Sequence, residues 1–150
     1  MKNKEYKLED FPFHYKLSTR WKDLDAFRHI NNAVFLTYVE DARIVLLKRW
    51  KINYQERSLI VASAKIDYLR QVAHPSNLIV AQKISRLGTK SFDINSVVFI
   101  ENDPDPICKS TVISVAYDFI NNKTVNVYQD IIDDDEDVIL KIRRREDAKK

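Results

Sequence analysis

Residues 33–50 read AVFLTYVEDARIVLLKRW, and no other stretch narrows the possible folds so far. Twelve of these eighteen residues are apolar, and at helical spacing they spread around much of the wheel. A helix of that kind has to be covered on most sides. Its polar residues are Thr37, Glu40, Asp41 and Arg43, then Lys48 and Arg49. Glu40 and Arg43 can meet at i,i+3, and the cationic last turn suits a helix C-terminus. Burying the large side chains stabilises by roughly 1.5–3 kcal/mol each. Ordering the backbone costs about 1–2 kcal/mol per residue. The balance is near zero, so the helix requires a sheet around it.

The rest of the chain supplies strands. His14–Trp21 carries β-formers and reads as the first. Leu59–Val72 alternates, which predicts Ile60, Ala62, Ala64, Ile66 and Tyr68 on one face. His74–Asn77 is turn chemistry, and Leu78–Leu87 is another strand. Gly88 marks a tight connection to Lys90–Glu101, and the loop 102–106 leads to a long strand Ile107–Ile120. After a turn at 121–123, Thr124–Tyr128 reads as a short extension. Connections this short force antiparallel pairing, because parallel strands need long crossovers. The expected fold is α+β, with one antiparallel sheet wrapped around one long central helix. Residues 1–150 read as a single domain without repeat or linker. The acidic run DDDED from Asp133 reads as solvated, and 136–150 as a short helix with a flexible basic tail.

Composition excludes several functions. The chain has one glycine, so the glycine-rich P-loop, dinucleotide fingerprint and nucleophile elbow are all absent. The three histidines are far apart and the one cysteine, Cys108, is near none of them in sequence, so no metal site is expected. A net charge of +3, with no basic-aromatic motif, gives no support for nucleic acid. The N-terminal residues lack the apolar core of a signal peptide, no stretch has membrane-spanning length, and a lone cysteine fits a reducing compartment. The expected location is the cytoplasm.

Polar chemistry is concentrated just before the helix, in DLDAFRHINNAVF from Asp23 to Phe35. The first amides of a helix have no internal partner and favour negative charge. Such donors stabilise the oxyanion that develops when a thioester carbonyl is attacked. A nearby carboxylate can attack that carbonyl or activate a water. The pattern D-x-D-x-x-x-H-I-N-N followed by F-L-x-Y-x-E-x-A-R, from Asp23 to Arg43, resembles the 4-hydroxybenzoyl-CoA thioesterase-like branch of the hotdog fold. The turn 87–91 is similar to the family's pattern as well, and the strand order fits from about residue 14 to 128.

That resemblance implies an acyl-CoA thioester hydrolase without a cofactor. It implies that Asp25 is catalytic, that Asp23 is structural, and that Asn32, seven residues after Asp25, contributes at the thioester carbonyl. It implies self-association to a dimer or tetramer, with the site at the subunit boundary. Arg28, His29, Asn31, Arg86, Thr89, Lys90 and Ser91 are the candidate substrate-binding residues, with Arg86 and Lys90 facing CoA phosphates. Arg28 stands where many members carry glycine, so the loop is expected to take a new path, or Arg28 to narrow the acyl pocket or touch the ligand. Each residue has a structural reading beside the functional one. Asp25 caps loop donors, Asn31 and Asn32 cap the helix, His29 fixes the loop, and Glu40 pairs with Arg43. Two other functions are carried alongside: an acyl-carrier-protein thioesterase, and a non-catalytic acyl- or CoA-binding or assembly protein on the same fold. A hotdog dehydratase is disfavoured, because its histidine lies in a glycine- and proline-rich segment that this chain lacks.

Overall fold

A computed structural model describes residues 6–136 of the chain. Its elements are β1 (Phe13–Ser18), α1 (Asn32–Arg49), β2 (Ser58–Tyr68), β3 (Asn77–Leu87), β4 (Ser91–Ile100), β5 (Pro106–Asp118) and β6 (Lys123–Thr124). The strands form one antiparallel sheet in the order β1-β3-β4-β5-β2, with β6 on the end of β5. The expected α+β architecture, a sheet around one helix, is present.

One row of paired residues shows how sheet and helix meet. Tyr15 lies opposite Val80, Val80 opposite Val98, Val98 opposite Cys108, and Cys108 opposite Tyr68. Successive side chains alternate between faces, so these five share the face towards α1. From the helix, Phe35, Tyr38, Val39, Ala42, Leu46 and Trp50 are buried against that face. They follow the i, i+3, i+4 spacing of a helical stripe. The N-terminal half of α1 packs with Val80, Val98 and Cys108, and the C-terminal half packs with Phe92, Ile94 and Ile131. A third cluster, Phe11 with Ala81, Val97 and Phe99, covers the opposite face of the sheet.

The structure departs from the sequence reading at four places. The first strand ends at Ser18 rather than Trp21, because Asp23 turns the chain back. Its carboxylate accepts the Arg20 amide at 2.9 Å, closing a turn of 3-10 helix over Trp21–Asp23 and leaving Trp21 78% exposed. The strict alternation expected in β2 fails at a bulge between Val61 and Ser63. One extra residue flips parity. Leu59 rather than Ile60 therefore packs inward together with Ile66. A single chain also covers α1 on one stripe only, and Leu36 and Val45 stay exposed.

The fourth departure is at the acidic run, which is not solvated throughout: Asp133 and Glu136 are exposed, but Asp134 between them is not. Residues 129–136 are helical, and Asp134 is buried. It accepts the Trp50 indole N–H at 2.6 Å and two Arg49 N–H bonds at 2.7 and 2.8 Å. The run thus anchors the C-terminal end of α1. The short extension is confined to Lys123–Thr124. The expected basic tail lies outside the described residues.

Candidate active site

The loop between β1 and α1 is fastened to the segment just before β3. Thr19 N–H donates to the Ser76 carbonyl at 3.0 Å and Ile30 N–H to the Val72 carbonyl at 2.8 Å. Thr19 Oγ1 also meets His74 Nδ1 at 2.8 Å. Inside this frame the two acids have separate environments.

Asp23 is buried, and its carboxylate accepts hydrogen bonds from the Arg20 amide, the Arg20 guanidinium and the Tyr38 hydroxyl, the last at 2.6 Å. Its carbonyl accepts the Asn31 N–H at 2.9 Å. Burial raises the carboxyl pKa, but the hydrogen bonds from Arg20 and Tyr38 outweigh burial and hold it below the ordinary value. Tyr38 is pushed well up, by burial first and by Asp23 second. Asp23 therefore ties the loop to α1, as the structural reading expects.

Asp25 is half-buried and orders its own loop. Its Oδ1 accepts the Phe27 amide at 2.8 Å and the His29 amide at 3.2 Å. Its backbone N–H donates to the His29 carbonyl at 2.8 Å. Oδ2 makes no hydrogen bond to a described residue. The capping role expected of an aspartate is thus filled by one oxygen, and the other is left over.

Asn31 is the N-cap of α1. Its side chain accepts the Ala33 amide at 3.0 Å, and its carbonyl accepts the Val34 amide at 2.9 Å. Two of the first amides are thereby satisfied, while the Asn32 N–H has no partner among the described residues. The Asn32 carbonyl accepts the Tyr68 hydroxyl at 2.6 Å, and the Phe35 and Tyr68 rings meet edge-on at 5.9 Å. The end of β2 therefore holds the start of the helix. Asp25 and Asn32 line one cavity of about 520 Å³, together with Phe27, His29, Phe35 and Tyr68. Its walls are part aromatic, with polar groups at the helix start. Such a cavity suits a carbonyl beside an apolar group.

Arg28 takes a backbone conformation that favours glycine. Its φ is 64°, in the left-handed region that glycine occupies without penalty. Arg28 is exposed and is absent from the cavity lining, so it does not narrow the pocket within one chain. His29 fixes the loop through its backbone, in a bridge to Ala73, as expected, and its Nδ1 is buried without a partner among the described residues.

The remaining candidates lie elsewhere. Arg86, Thr89, Lys90 and Ser91 sit at the far end of β3, a strand whose eleven residues span roughly 35 Å. Arg86 is held there by Asp93 at 2.9 Å and by Ser91 Oγ at 2.9 Å. The Thr89 and Lys90 carbonyls accept the Val127 and Ala116 amides, each at 2.9 Å. One chain does not bring this turn to Asp25. Sequence reasoning missed Phe27, Tyr68 and Leu69 as cavity residues. The β2 pattern gave no signal that the end of this strand would meet the helix start. Cys108 is in the core, where burial pushes its thiol up to about 12, so it supplies no thiolate. Among the described residues, no cluster of His, Cys, Asp or Glu could hold a metal. No helix among them is long and apolar enough to cross a membrane.

Comparison with known proteins locates this arrangement. The family model described as the thioesterase-like superfamily matches residues 19–133. Protein YsmA of Bacillus subtilis (strain 168) is 33% identical over 87 residues, covering 57% of this chain and 59% of that protein. The long-chain acyl-CoA thioesterase FadM of Escherichia coli (strain K12) is 23% identical over 115 residues, covering 73% of this chain and 86% of that one. A thioesterase from Thermus thermophilus, solved with coenzyme A and zinc, superposes with a TM-score of 0.73 at 26% identity, covering 87% of this chain and 96% of that one.

Proposed function

Because this chain belongs to the thioesterase-like superfamily and has its hotdog fold, we propose that it hydrolyses acyl-CoA thioesters at the cavity between Asp25 and the start of α1. Thioester hydrolysis in general follows from the family. The acyl-CoA substrate and the roles of individual residues are the proposal. One observation carries it: Asp25 and Asn32 line the same cavity, and each has a polar group, a carboxylate oxygen and a backbone amide, without a partner among the described residues.

In this mechanism the Asn32 N–H donates to the thioester oxygen as it gains charge. The Asp25 carboxylate either attacks the carbonyl carbon or takes a proton from the water that does. Attack by the carboxylate expels CoA as thiolate and leaves an acyl-aspartyl anhydride, which water then opens. In the water route, the C–S bond breaks as the tetrahedral intermediate collapses. Thiolate is a good leaving group in both, so no strong general acid is needed. Phe27, Phe35 and Leu69 supply the apolar side for the acyl group.

A second subunit completes the site. β2 is an edge strand with one open side and with Ile60 and Val61 exposed. Open edges invite pairing. The Tyr68 end of β2 is at Asn32, while Ser58 pairs with Tyr117 two residues from Val115, which pairs with Ser91. Two β2 strands paired antiparallel about a two-fold axis would place the 88–91 turn of the partner beside the Asp25 cavity. The separation of the binding candidates within one chain is then accounted for.

The test is thiol release across short, medium, long and aromatic acyl-CoAs, for wild type and Asp25→Asn. Turnover is expected on at least one of them and should fall at least about a hundredfold in the variant, with fold unchanged. Wild-type turnover in Asp25→Asn would end the assignment.

A further inference from the structure

We propose that the loop joining β1 to α1 docks on an anionic lipid surface, with the Trp21 and Phe27 rings entering the interface and Lys22 and Arg28 meeting the headgroup phosphates. Docking of this kind is independent of the hydrolysis proposed above.

Trp21 is 78% exposed and Phe27 80%, more than any other large apolar residue among the described residues. Both belong to one stretch, RWKDLDAFR from Arg20 to Arg28. The loop presents them rigidly. The Leu24 N–H donates to the Trp21 carbonyl at 3.2 Å, which closes the turn that carries Trp21. Leu24 bridges to Ile30, and the Asp25 N–H donates to the His29 carbonyl at 2.8 Å. Residues 24–30 therefore form a small hairpin with Phe27 and Arg28 at its tip. The Asp25 carboxylate fixes the tip by accepting the Phe27 amide, and Asp23 ties the base to α1 through Tyr38. Rings held out in advance bind with little ordering cost.

Charge selects the partner. Lys22 and Arg28 are exposed and form no ion pair among the described residues. The acids of the loop do not cancel them. Asp23 is buried and taken by Arg20 at 2.9 Å, and Asp25 is half-buried with one oxygen given to amides. Exposed rings beside unpaired cations are the composition of a surface that lies in a membrane interface, the rings below the phosphates and the cations among them. A second copy of the chain fits this loop less well. The 88–91 turn, which the proposed pairing brings to this end, reads Gly-Thr-Lys-Ser, so it offers no apolar cover for Phe27 and adds a further cation in Lys90. The position of the loop gives docking a use. Phe27 lines the Asp25 cavity together with Tyr68 and Leu69, which are partly exposed. A docked loop would set the mouth of that cavity against the bilayer, and an acyl chain would pass into it without exposing its apolar length to water.

The experiment mixes the full chain with vesicles of phosphatidylcholine, of phosphatidylglycerol and of both, and follows co-sedimentation and tryptophan emission. No substrate is added. The chain has two tryptophans and Trp50 is fully buried, so changes in emission report Trp21. Binding is expected to rise with phosphatidylglycerol content and to weaken with added salt. Emission should shift to the blue and be quenched by lipid brominated on its acyl chains. Trp21→Ser and Phe27→Ser should each weaken binding at least about tenfold, and Lys22→Gln about fivefold. Ile120→Ser, at a residue 61% exposed on the turn after β5, is the control and should bind like wild type. Circular dichroism checks the fold of each variant. Absence of binding to phosphatidylglycerol overturns the proposal. So does binding that leaves Trp21 unquenched and survives both aromatic variants, which is what attraction of the cations in residues 141–150 alone would give. Equal loss of binding in Ile120→Ser overturns it as well.

Discussion

Two aspartates only two positions apart have different tasks because their surroundings differ. Asp23 is enclosed by Arg20 and Tyr38, and Asp25 lines a cavity with one oxygen free of partners among the described residues. The lowered pKa of Asp23 makes it a stability element. Its contribution is complete above the unfolded carboxylate value of about 4. Below that pH the unfolded chain binds a proton that the folded chain does not, so the contribution declines as pH falls towards the lower folded value. We expect Asp23→Asn to reduce stability at neutral pH, and its difference from wild type to shrink in urea titrations as pH falls below the unfolded carboxylate value of about 4. Tyr38→Phe should cost about 2 kcal/mol by the same measurement. Both should change turnover less than Asp25→Asn does. Unchanged stability in Asp23→Asn would show that its hydrogen bonds add nothing net. The motif made both acids visible in the sequence, and the resemblance separated their roles. The shared reason, a captured carboxylate against a spare oxygen, is visible only in the folded loop.

At the level of elements, α1 is held at each end by a carboxylate from elsewhere in the chain. Its start is fixed by Asp23 through Tyr38 and Asn31, and its end by Asp134 through Trp50 and Arg49. The span and cap of the helix were legible, because Asn31-Asn32 before an apolar run is a start signal and Lys48-Arg49 is an end signal. The role of Asp134 was not legible. A run of acids reads as solvated, and nothing local shows that one of them returns to a tryptophan 84 positions away. Asp134→Ala removes the acceptor of the buried Trp50 N–H and should destabilise by roughly 1–3 kcal/mol. Tryptophan fluorescence during urea unfolding would show it as a lower midpoint. A midpoint equal to wild type would mean the contact contributes nothing. The β2 bulge was hidden for a similar reason. Alternation is a local pattern, and a one-residue insertion is set by the pairing with β5.

At the level of the whole molecule, the proposed site has parts at opposite ends of β3, and the proposed pairing of two β2 edges would bring them together. Complementation follows. Asp25→Asn chains retain the 88–91 turn, and Lys90→Glu chains retain Asp25. Each alone is expected to be nearly inactive on acyl-CoA. Refolded together, half the dimers would be mixed and each would carry one intact site, giving about a quarter of wild-type turnover. If mixing restores no turnover although both parents are dimeric, the site is complete within one chain.

The sequence by itself determined the elements and their pairing sense. Apolar periodicity decides which residues leave water, and short connections leave antiparallel pairing as the one geometry available. It also marked where the chemistry concentrates, because a cap, two acids and a helix start are neighbours in the chain. Tertiary structure alone decided which oxygen and which amide are left over. That depends on hydrogen bonds already made by Arg20, Tyr38, Phe27, His29 and Asn31. It likewise decided that Leu36 stays 40% exposed while Phe35 beside it is buried. Exposure is a property of what folds over a residue, and distant strands set it.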